Sequence, residues 1–449
     1  MKIVSRREML GRLGGGLGVL GLGALLQRES AAALPRPHHP PKVKRVIQLF
    51  MNGGPFQGDF FDPKPKINQF AGQRPAEVQL RTENATGGLM PVPFGFSPRG
   101  RSGLPVSELL PRFGELIDDV CVLRGCHTDN PNHGPALFML NNGSITPTRP
   151  SMGSWLLYGL GSENENLPGY VVLCPGAPVR FAELWTSGFL PGEFQGTYIN
   201  HSNLSPGEMI PFLRHRSRSP EAQQRQLDLL KELERGSSPG DAALEARVKA
   251  METAFRMQFA ATDAFDLSRE PESVREEYGS GHFAHGCLLA RRLAERGVRF
   301  TQVYYGNGQP WDTHSDHDNL TRNLAADIDR PMAALLRDLK RRGMLEDTLV
   351  VWGGEFGRTP TTEGANGRDH NHFGFTTCLA GAGVKGGYAH GATDDFGFKA
   401  VEGRVHVHDL HATLLHLLGL DHERLTFRHA GRDFRLTDVF GTVVKEVLS

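Results

Sequence analysis

Short apolar runs alternate with glycine turns and amphipathic stretches along most of this chain. Val43 to Phe50 reads as a first β-strand, leading through Met51-Asn52-Gly53-Gly54-Pro55 into Asp59-Phe60-Phe61-Asp62-Pro63-Lys64-Pro65. Val120-Cys121-Val122-Leu123 predicts a second buried strand, then a polar loop from Arg124 to Pro135 and a helix that starts over Ala136 to Leu140. Ser151 to Leu160 is amphipathic and helix-like, and Tyr170 to Leu173 is another apolar strand. From His282 the alternation becomes regular. His282 to Arg296 predicts a helix stopped by Gly297, and Val298 to Tyr305 predicts a strand. Leu320, Leu324, Ile328, Met332, Leu335, Leu336 and Leu339 recur at the spacing of a long helix. Lys340, Arg341 and Arg342 crowd its last turn and Gly343 ends it. Thr348 to Trp352 follows as the next strand, then a glycine-rich loop carrying Arg358, and Thr376 to Ala380 and Arg404 to Val407 are the last ones. Asp409 is a predicted N-cap for a helix with Leu410, Leu414 and Leu417 on its apolar stripe.

Strands joined by helical crossovers pair in parallel. The expected fold class is therefore α/β, a doubly wound, mostly parallel sheet flanked by helices. Between about 217 and 266 the composition shifts to Glu, Gln, Arg, Leu and Ala at helical spacing. This predicts a helical insertion lying on the core, its charges a solvated face. At 449 residues the chain has room for such an insertion on a large domain. Residues 66 to 117 show no clear period.

The polar residues cluster where the apolar runs stop. In open α/β sheets ligands bind outside the carboxyl ends of the strands. Asp59 and Asp62 follow the first strand, although Asp62-Pro63 starts a turn as readily as it offers a ligand. Thr128 and His133 follow the second, in a strand-to-helix loop suited to an anion such as phosphate or sulfate. Asp312 and His314 follow the Val298 strand, and Glu355, Arg358, Arg368, Asp369 and His370 follow Thr348 to Trp352. His408 and His411 lie three apart and share a helix face. Carboxylate and imidazole donors gathered in this way suit a divalent metal such as Zn²⁺ or Mn²⁺. Nine of the nineteen histidines fall between His370 and His429, which sets this half of the chain apart from an ordinary polar surface. The crossover also puts the Asp312/His314 loop beside Glu355 at one sheet edge.

Charge and cysteine content narrow the classes. Fifty basic and fifty acidic residues give no electrostatic case for nucleic acid or an anionic membrane. Cys121, Cys126, Cys174, Cys287 and Cys378 include no CxxC pair, so they read as buried hydrophobes and not as a disulfide or thiolate-zinc framework. Ser5-Arg6-Arg7-Glu8-Met9-Leu10, the Gly/Leu run to Leu26 and Ala31-Ala32-Ala33 form a twin-arginine signal peptide over residues 1–33. That run is too short and glycine-rich for a stable membrane span. A Pro-rich linker at 34–41 and an α/β domain at 42–449 complete the expected organisation. A periplasmic or extracellular location by the twin-arginine pathway follows.

The order of these loops resembles the alkaline phosphatase and sulfatase superfamily: an acidic loop, a His loop, Asp-x-His before a long helix, Thr-Leu-Val-Val before an acid, Asp-His, then His-x-x-His. More closely, the chain resembles the exported, sulfatase-like family called domain of unknown function 1501. The matching stretches are Asn52-Gly53-Gly54-Pro55 with Asp59 to Pro65, Trp311-Asp312-Thr313-His314, Gly354 to Pro360, Gly367-Arg368-Asp369-His370, and Gly391 to Val439. The resemblance implies a hydrolase of sulfate or phosphate esters using divalent metal ions, two of them, Zn, Mn, Ca or Mg. It implies one ion held by Asp312 and His314 with His408 or His411. The other would be held by an acid after strand one, such as Asp59, with Glu355, Asp369 and His370. Here the strand delivers Glu355-Phe356 where the superfamily has Asp-His, and Asn52 stands where many relatives place an Asp.

The Cys/Ser-x-Pro/Ala-x-Arg nucleophile motif of the sulfatases is absent. Thr128 is the hydroxyl in the matching loop, and a water activated at the metals is the other option. His133 is a ligand or proton donor, and Arg358 or Arg368 would clamp the oxyanion. The expected activity is hydrolysis of a small-molecule or glycan anionic ester. The alternative, favoured by the missing motif, is a catalytically silent protein of this fold that binds a glycan or protein partner. No GxGxxG opens a helix after a strand, so an oxidoreductase is not supported.

Overall fold

The computed structural model describes residues 36–205, 209, 219–237, 248, 251, 252, 255, 256 and 263–449. The signal segment, the start of the linker and part of the expected insertion lie outside these residues. Within the insertion, Pro220–Ser237 is an α-helix, as its periodicity predicts.

One nine-stranded sheet organises the chain. Its strands are β1 (Arg45–Phe50), β2 (Val120–His127), β3 (Tyr170–Cys174), β4 (Thr197–Asn200), β5 (Phe300–Tyr304), β6 (Thr348–Gly353), β7 (Phe375–Gly381), β8 (Tyr388–His390) and β9 (Val405–His406). The spatial order is β8-β2-β7-β6-β1-β5-β3-β4, with β9 also on β2. β1 lies between β5 and β6 and pairs in parallel with both, Phe50 opposite Tyr304 on one side and Gly353 on the other. β7 runs antiparallel to β6 and β2, so the sheet is mixed and mostly parallel.

Alternation along each strand feeds two cores. Ile47, Leu49, Val350 and Trp352 pack on one face with Leu288 of α2 (His282–Glu295) and Ile328 and Leu335 of α3 (His317–Arg341). Val46, Phe50, Leu349 and Val351 pack on the other with Leu137 of α1 (His133–Asn142) and Leu414 of α4 (Val407–Leu417). Strands covered on both faces read as unbroken apolar runs, which is why they stand out in the sequence. The fold class is thus α/β with helices on both faces of the sheet. Among the described residues no helix is long and apolar enough to cross a membrane, and all five cysteines are free and buried.

Three local expectations change. α1 begins at His133, not near Ala136, because Asn132 caps it by accepting from the Gly134 N–H at 3.1 Å. His406, not Asp409, is the N-cap of α4, and Asp409 closes the capping box by accepting from the His406 N–H at 2.9 Å. Finally, the stretch after Glu355 is no loose loop. Gly357–Glu363 and Gly367–Asn371 pair as an antiparallel hairpin, with Thr86–Leu89 as a third strand. This small sheet stands over the carboxyl ends of β1, β5 and β6.

Candidate metal centre

Three strand ends meet because a glycine turn lets them. After β1, Gly53 has φ +114, and a Cβ there would lie 2.4 Å from the Asp312 nitrogen. Only glycine allows that turn to lie against the loop after β5. The Trp311 N–H donates to the Asn52 carbonyl at 3.1 Å, and the Gly53 N–H donates to both Glu355 oxygens at 3.0 and 3.2 Å. The expected proximity of the Asp312 loop and Glu355 is present, bridged by His133. Its Nδ1 is 2.7 Å from Glu355 Oε1, and its Nε2 is 3.1 Å from Asp312 Oδ1.

Two more imidazoles converge on the same Asp312 oxygen. His314 Nε2 is 2.9 Å away and His370 Nε2, from the hairpin, is 3.2 Å away. The two Nε2 atoms are themselves only 3.0 Å apart. His133, Asp312, His314 and His370 thus offer four donor atoms within 4.8 Å of one another. Behind each ring stands a carboxylate on Nδ1: Glu355 for His133, Glu363 for His314, and Glu83 at 2.6 Å for His370.

A carboxylate only accepts, so each Nδ1 carries a proton, and a ring that gives up its Nε2 proton turns a lone pair inward. Three such lone pairs and a carboxylate oxygen facing one point repel unless a proton or a cation lies between them. The buried Nε2 of His133, close to Asp312 but without a hydrogen-bond partner, fits that reading. Three imidazoles and a carboxylate, each imidazole fixed by an outer carboxylate, make a donor set that suits a divalent transition metal.

The protonation behaviour follows from the same crowding. Burial pushes the Asp312 carboxyl up, but its contacts with His133, His314 and His370 and the Arg358 charge hold it far below the usual carboxylate range. Hydrogen bonds to Asp312 and, against burial, to Glu363 raise the His314 pKa to about 9. Burial pulls His133 down, yet Asp312 and Glu355 outweigh it and raise its pKa. A raised histidine pKa contributes stability that is complete below the unfolded-state value and fades as pH rises through the folded value. For metal-free protein, that contribution should be present at pH 6 and lost between about pH 6.5 and 9. Metal uptake has the opposite dependence, since His314 must lose its proton to ligate. Melting curves from pH 6 to 9.5, with and without Zn²⁺, check both signs: the stabilisation by metal should grow as pH rises.

The opening lies at one edge. His370 and His133 are buried, whereas the Asp312 and His314 side chains are 23 % and 32 % exposed. Glu355 is fully buried behind His133 and takes the place of an orienting group, not of a donor in this cluster.

The other expected metal ligands are not among these four donors. Asp59 is fully buried and pairs with His317 Nε2 at 2.8 Å. The Asp369 carboxylate accepts from the Asn84 backbone N–H at 2.7 Å and side-chain amide at 3.3 Å. It forms a second donor group with His314 and Glu363. His408 Nε2 lies 3.0 Å from the Gly143 carbonyl and His411 Nε2 lies 2.8 Å from that of Leu140, so α4 turns both onto the end of α1 and outside the cluster. The Thr128 hydroxyl is buried with no hydrogen-bond partner, so it is not bonded to any of the four donors.

The oxyanion clamp expected of Arg358 and Arg368 has no geometric opening, because both guanidinium groups are fully buried. Arg358 donates to the carbonyls of Gly53, Gly54 and Arg368 and to Asp312, stapling the turn to the ligand loop. Arg368 donates to Thr359, Met90 and Pro91 carbonyls and stacks over Phe56. Glu83, Glu363 and His317 were not among the expected residues. Glu83 sits in the stretch without a period, and its only signal is that a ligating histidine needs an outer acceptor.

No curated protein matches this chain. Among solved structures, the lipoteichoic acid synthase LtaP from Listeria monocytogenes is similar at 10% identity and TM-score 0.37, covering 91% of this chain and 77% of that one. The C-terminal periplasmic domain of EcEptC from Escherichia coli, in complex with Zn, gives 10%, 0.37, 88% and 88%. A protein in the alkaline phosphatase superfamily from Vibrio parahaemolyticus gives 13%, 0.35, 86% and 68%. Superpositions this loose carry no argument about residues or chemistry. The sequence profile of one family, by contrast, matches residues 43–448, and the chain belongs to that family, described as Protein of unknown function (DUF1501).

Proposed function

We propose that this protein is an exported, metal-dependent hydrolase of anionic esters, sulfate or phosphate. The observation that carries the reading is the convergence of three histidine Nε2 atoms on Asp312 Oδ1, each ring backed by its own carboxylate. His133, Asp312, His314 and His370 hold the ion, and Glu355, Glu363 and Glu83 fix the rings. Nitrogen-rich donor sets suit Zn²⁺, whereas Mg²⁺ and Ca²⁺ prefer oxygen. One ion is proposed at this centre, because the second donor group shares His314 with it and Asp369 is already held by Asn84. Bound there, such an ion supplies Lewis acidity and lowers the pKa of a coordinated water towards about 7.

Charge for an anionic substrate lies beside the centre. The exposed Arg180 guanidinium packs over Gly134 at the N-terminus of α1, its nitrogens 3.1 and 3.3 Å from where a Gly134 Cβ would stand. A helix N-terminus and a guanidinium together favour a phosphoryl or sulfuryl group. Thr313, the hydroxyl between two of the ligands, is committed to His317 at 2.6 Å. Attack by water is therefore favoured over a covalent route. Export rests on the twin-arginine pattern of residues 1–33.

Zn²⁺-loaded protein should hydrolyse at least one class in a panel of aryl and sugar phosphate and sulfate mono- and diesters. The activity should vanish with a chelator and return with Zn²⁺. A metal-loaded protein inert on the whole panel would favour the catalytically silent reading, in which the same centre only binds.

A further inference from the structure

We propose that Asp59, His317 and Thr313 form a buried positioning chain that sets the two neighbouring ligands Asp312 and His314. This rests on the metal-centre reading above. Thr313 stands between those ligands in sequence, and its Oγ1 is 2.6 Å from His317 Nδ1. His317 Nε2 is in turn 2.8 Å from Asp59 Oδ2. The three side chains are 2 %, 1 % and 0 % exposed.

The direction of the hydrogen bonds follows from what each group can do. The Asp59 carboxylate accepts, so His317 donates through Nε2. Burial holds the His317 pKa down and keeps the ring neutral, which leaves Nδ1 as an acceptor for the Thr313 hydroxyl. The hydroxyl proton therefore points away from the metal ligands and toward α3. Asp59 comes from the turn after β1, His317 from the first residue of α3 and Thr313 from the loop after β5. The chain thus locks one ligand loop to two separate elements.

Backbone contacts close the frame. The Thr313 carbonyl accepts from the Arg368 N–H at 3.1 Å, and the His317 N–H donates to the Asn366 carbonyl at 3.0 Å. A Cβ at Gly367 would lie 1.9 Å from the His314 carbonyl oxygen. The loop is therefore pressed against the hairpin that carries His370. A chain that served only to fill space would be apolar. Here a carboxylate is buried with its Oδ1 lacking any hydrogen-bond partner, an arrangement that costs stability. Orientation of the ligands is what such a chain provides.

The test compares Thr313→Val, which keeps the shape and removes the hydroxyl, with Thr313→Ser, which restores it. Zn²⁺ affinity is read by competition with a chromophoric chelator, and Co²⁺ absorption reports the ligand geometry. Metal-free melting temperature controls for folding. The valine variant should bind Zn²⁺ roughly 10–100-fold more weakly, with an altered Co²⁺ spectrum. The serine variant should match the wild type in both readouts. The metal-free melting temperature of the valine variant should fall modestly, because His317 Nδ1 is left unpaired in the core. Zn²⁺ affinity is therefore compared at a temperature where all three proteins are folded. Should the valine variant not fold, Asp59→Asn takes its place, with weakening in the same direction. A substituted protein that binds Zn²⁺ as tightly as a zinc-binding wild type overturns the positioning chain alone. A wild type that takes up no Zn²⁺ overturns the metal centre as well.

Discussion

Asp312→Ala should abolish metal binding and destabilise the metal-free protein. Its Oδ1 is the single oxygen on which His133, His314, His370 and Arg358 converge. Without it three imidazoles remain with no anionic donor among them, and affinity should fall further than the roughly 10–100-fold typical of an outer-sphere loss. Arg358, fully buried, would lose its carboxylate partner. Removing one member of a buried ion pair costs about 3–5 kcal/mol, because the other charge stays behind. Partial exposure of Asp312 lets water compensate, so the lower end, about 3 kcal/mol, is expected. Denaturant unfolding of metal-free protein and elemental analysis of metal-loaded protein read the two effects separately.

Glu355→Ala should act differently, and the difference separates a ligand from the group behind it. Glu355 accepts from His133 Nδ1 and from the Gly53 N–H in a fully buried position. Alanine leaves both donors unsatisfied, at about 1–3 kcal/mol each. The cost should therefore approach or exceed that of Asp312→Ala. Metal affinity should nevertheless drop only roughly 10–100-fold, since His133 Nε2 remains and only its orientation is freed. Glu355→Gln keeps an acceptor and should recover most of the stability. Complete loss of metal in Glu355→Ala at saturating Zn²⁺ would make Glu355 a direct ligand, as its place at a strand end first suggests.

The fold was readable because parallel strands buried on both faces leave unbroken apolar runs, as Leu349 to Trp352 do. Periodicity likewise marks α3, with Lys340, Arg341 and Gly343 at its end. Asp312 and His314 stood out because a polar cluster at a strand end in this fold class faces the ligand edge. What spacing could not show is which face a helix turns inward. His408 and His411 share a face as expected, but α4 aims it at the α1 carbonyls. Arg358 and Arg368 read as free cations in a glycine-rich loop. The loop is instead a hairpin whose buried interior consumes their donors. Glu83 and Asp59 make the same point at longer range. Their partners His370 and His317 lie more than two hundred residues away in sequence, and only the packed sheet edge brings each pair together.

The central claim is that His133, Asp312, His314 and His370 hold one transition-metal ion. Elemental analysis of full-length wild-type protein, purified without chelators or a histidine tag and reconstituted with Zn²⁺, tests it most directly. The account predicts one Zn²⁺ per chain that survives dialysis, and a Co²⁺-substituted form with strong visible absorption from a low-coordinate nitrogen-rich site. Protein that retains no ion after reconstitution at pH 8 would contradict it.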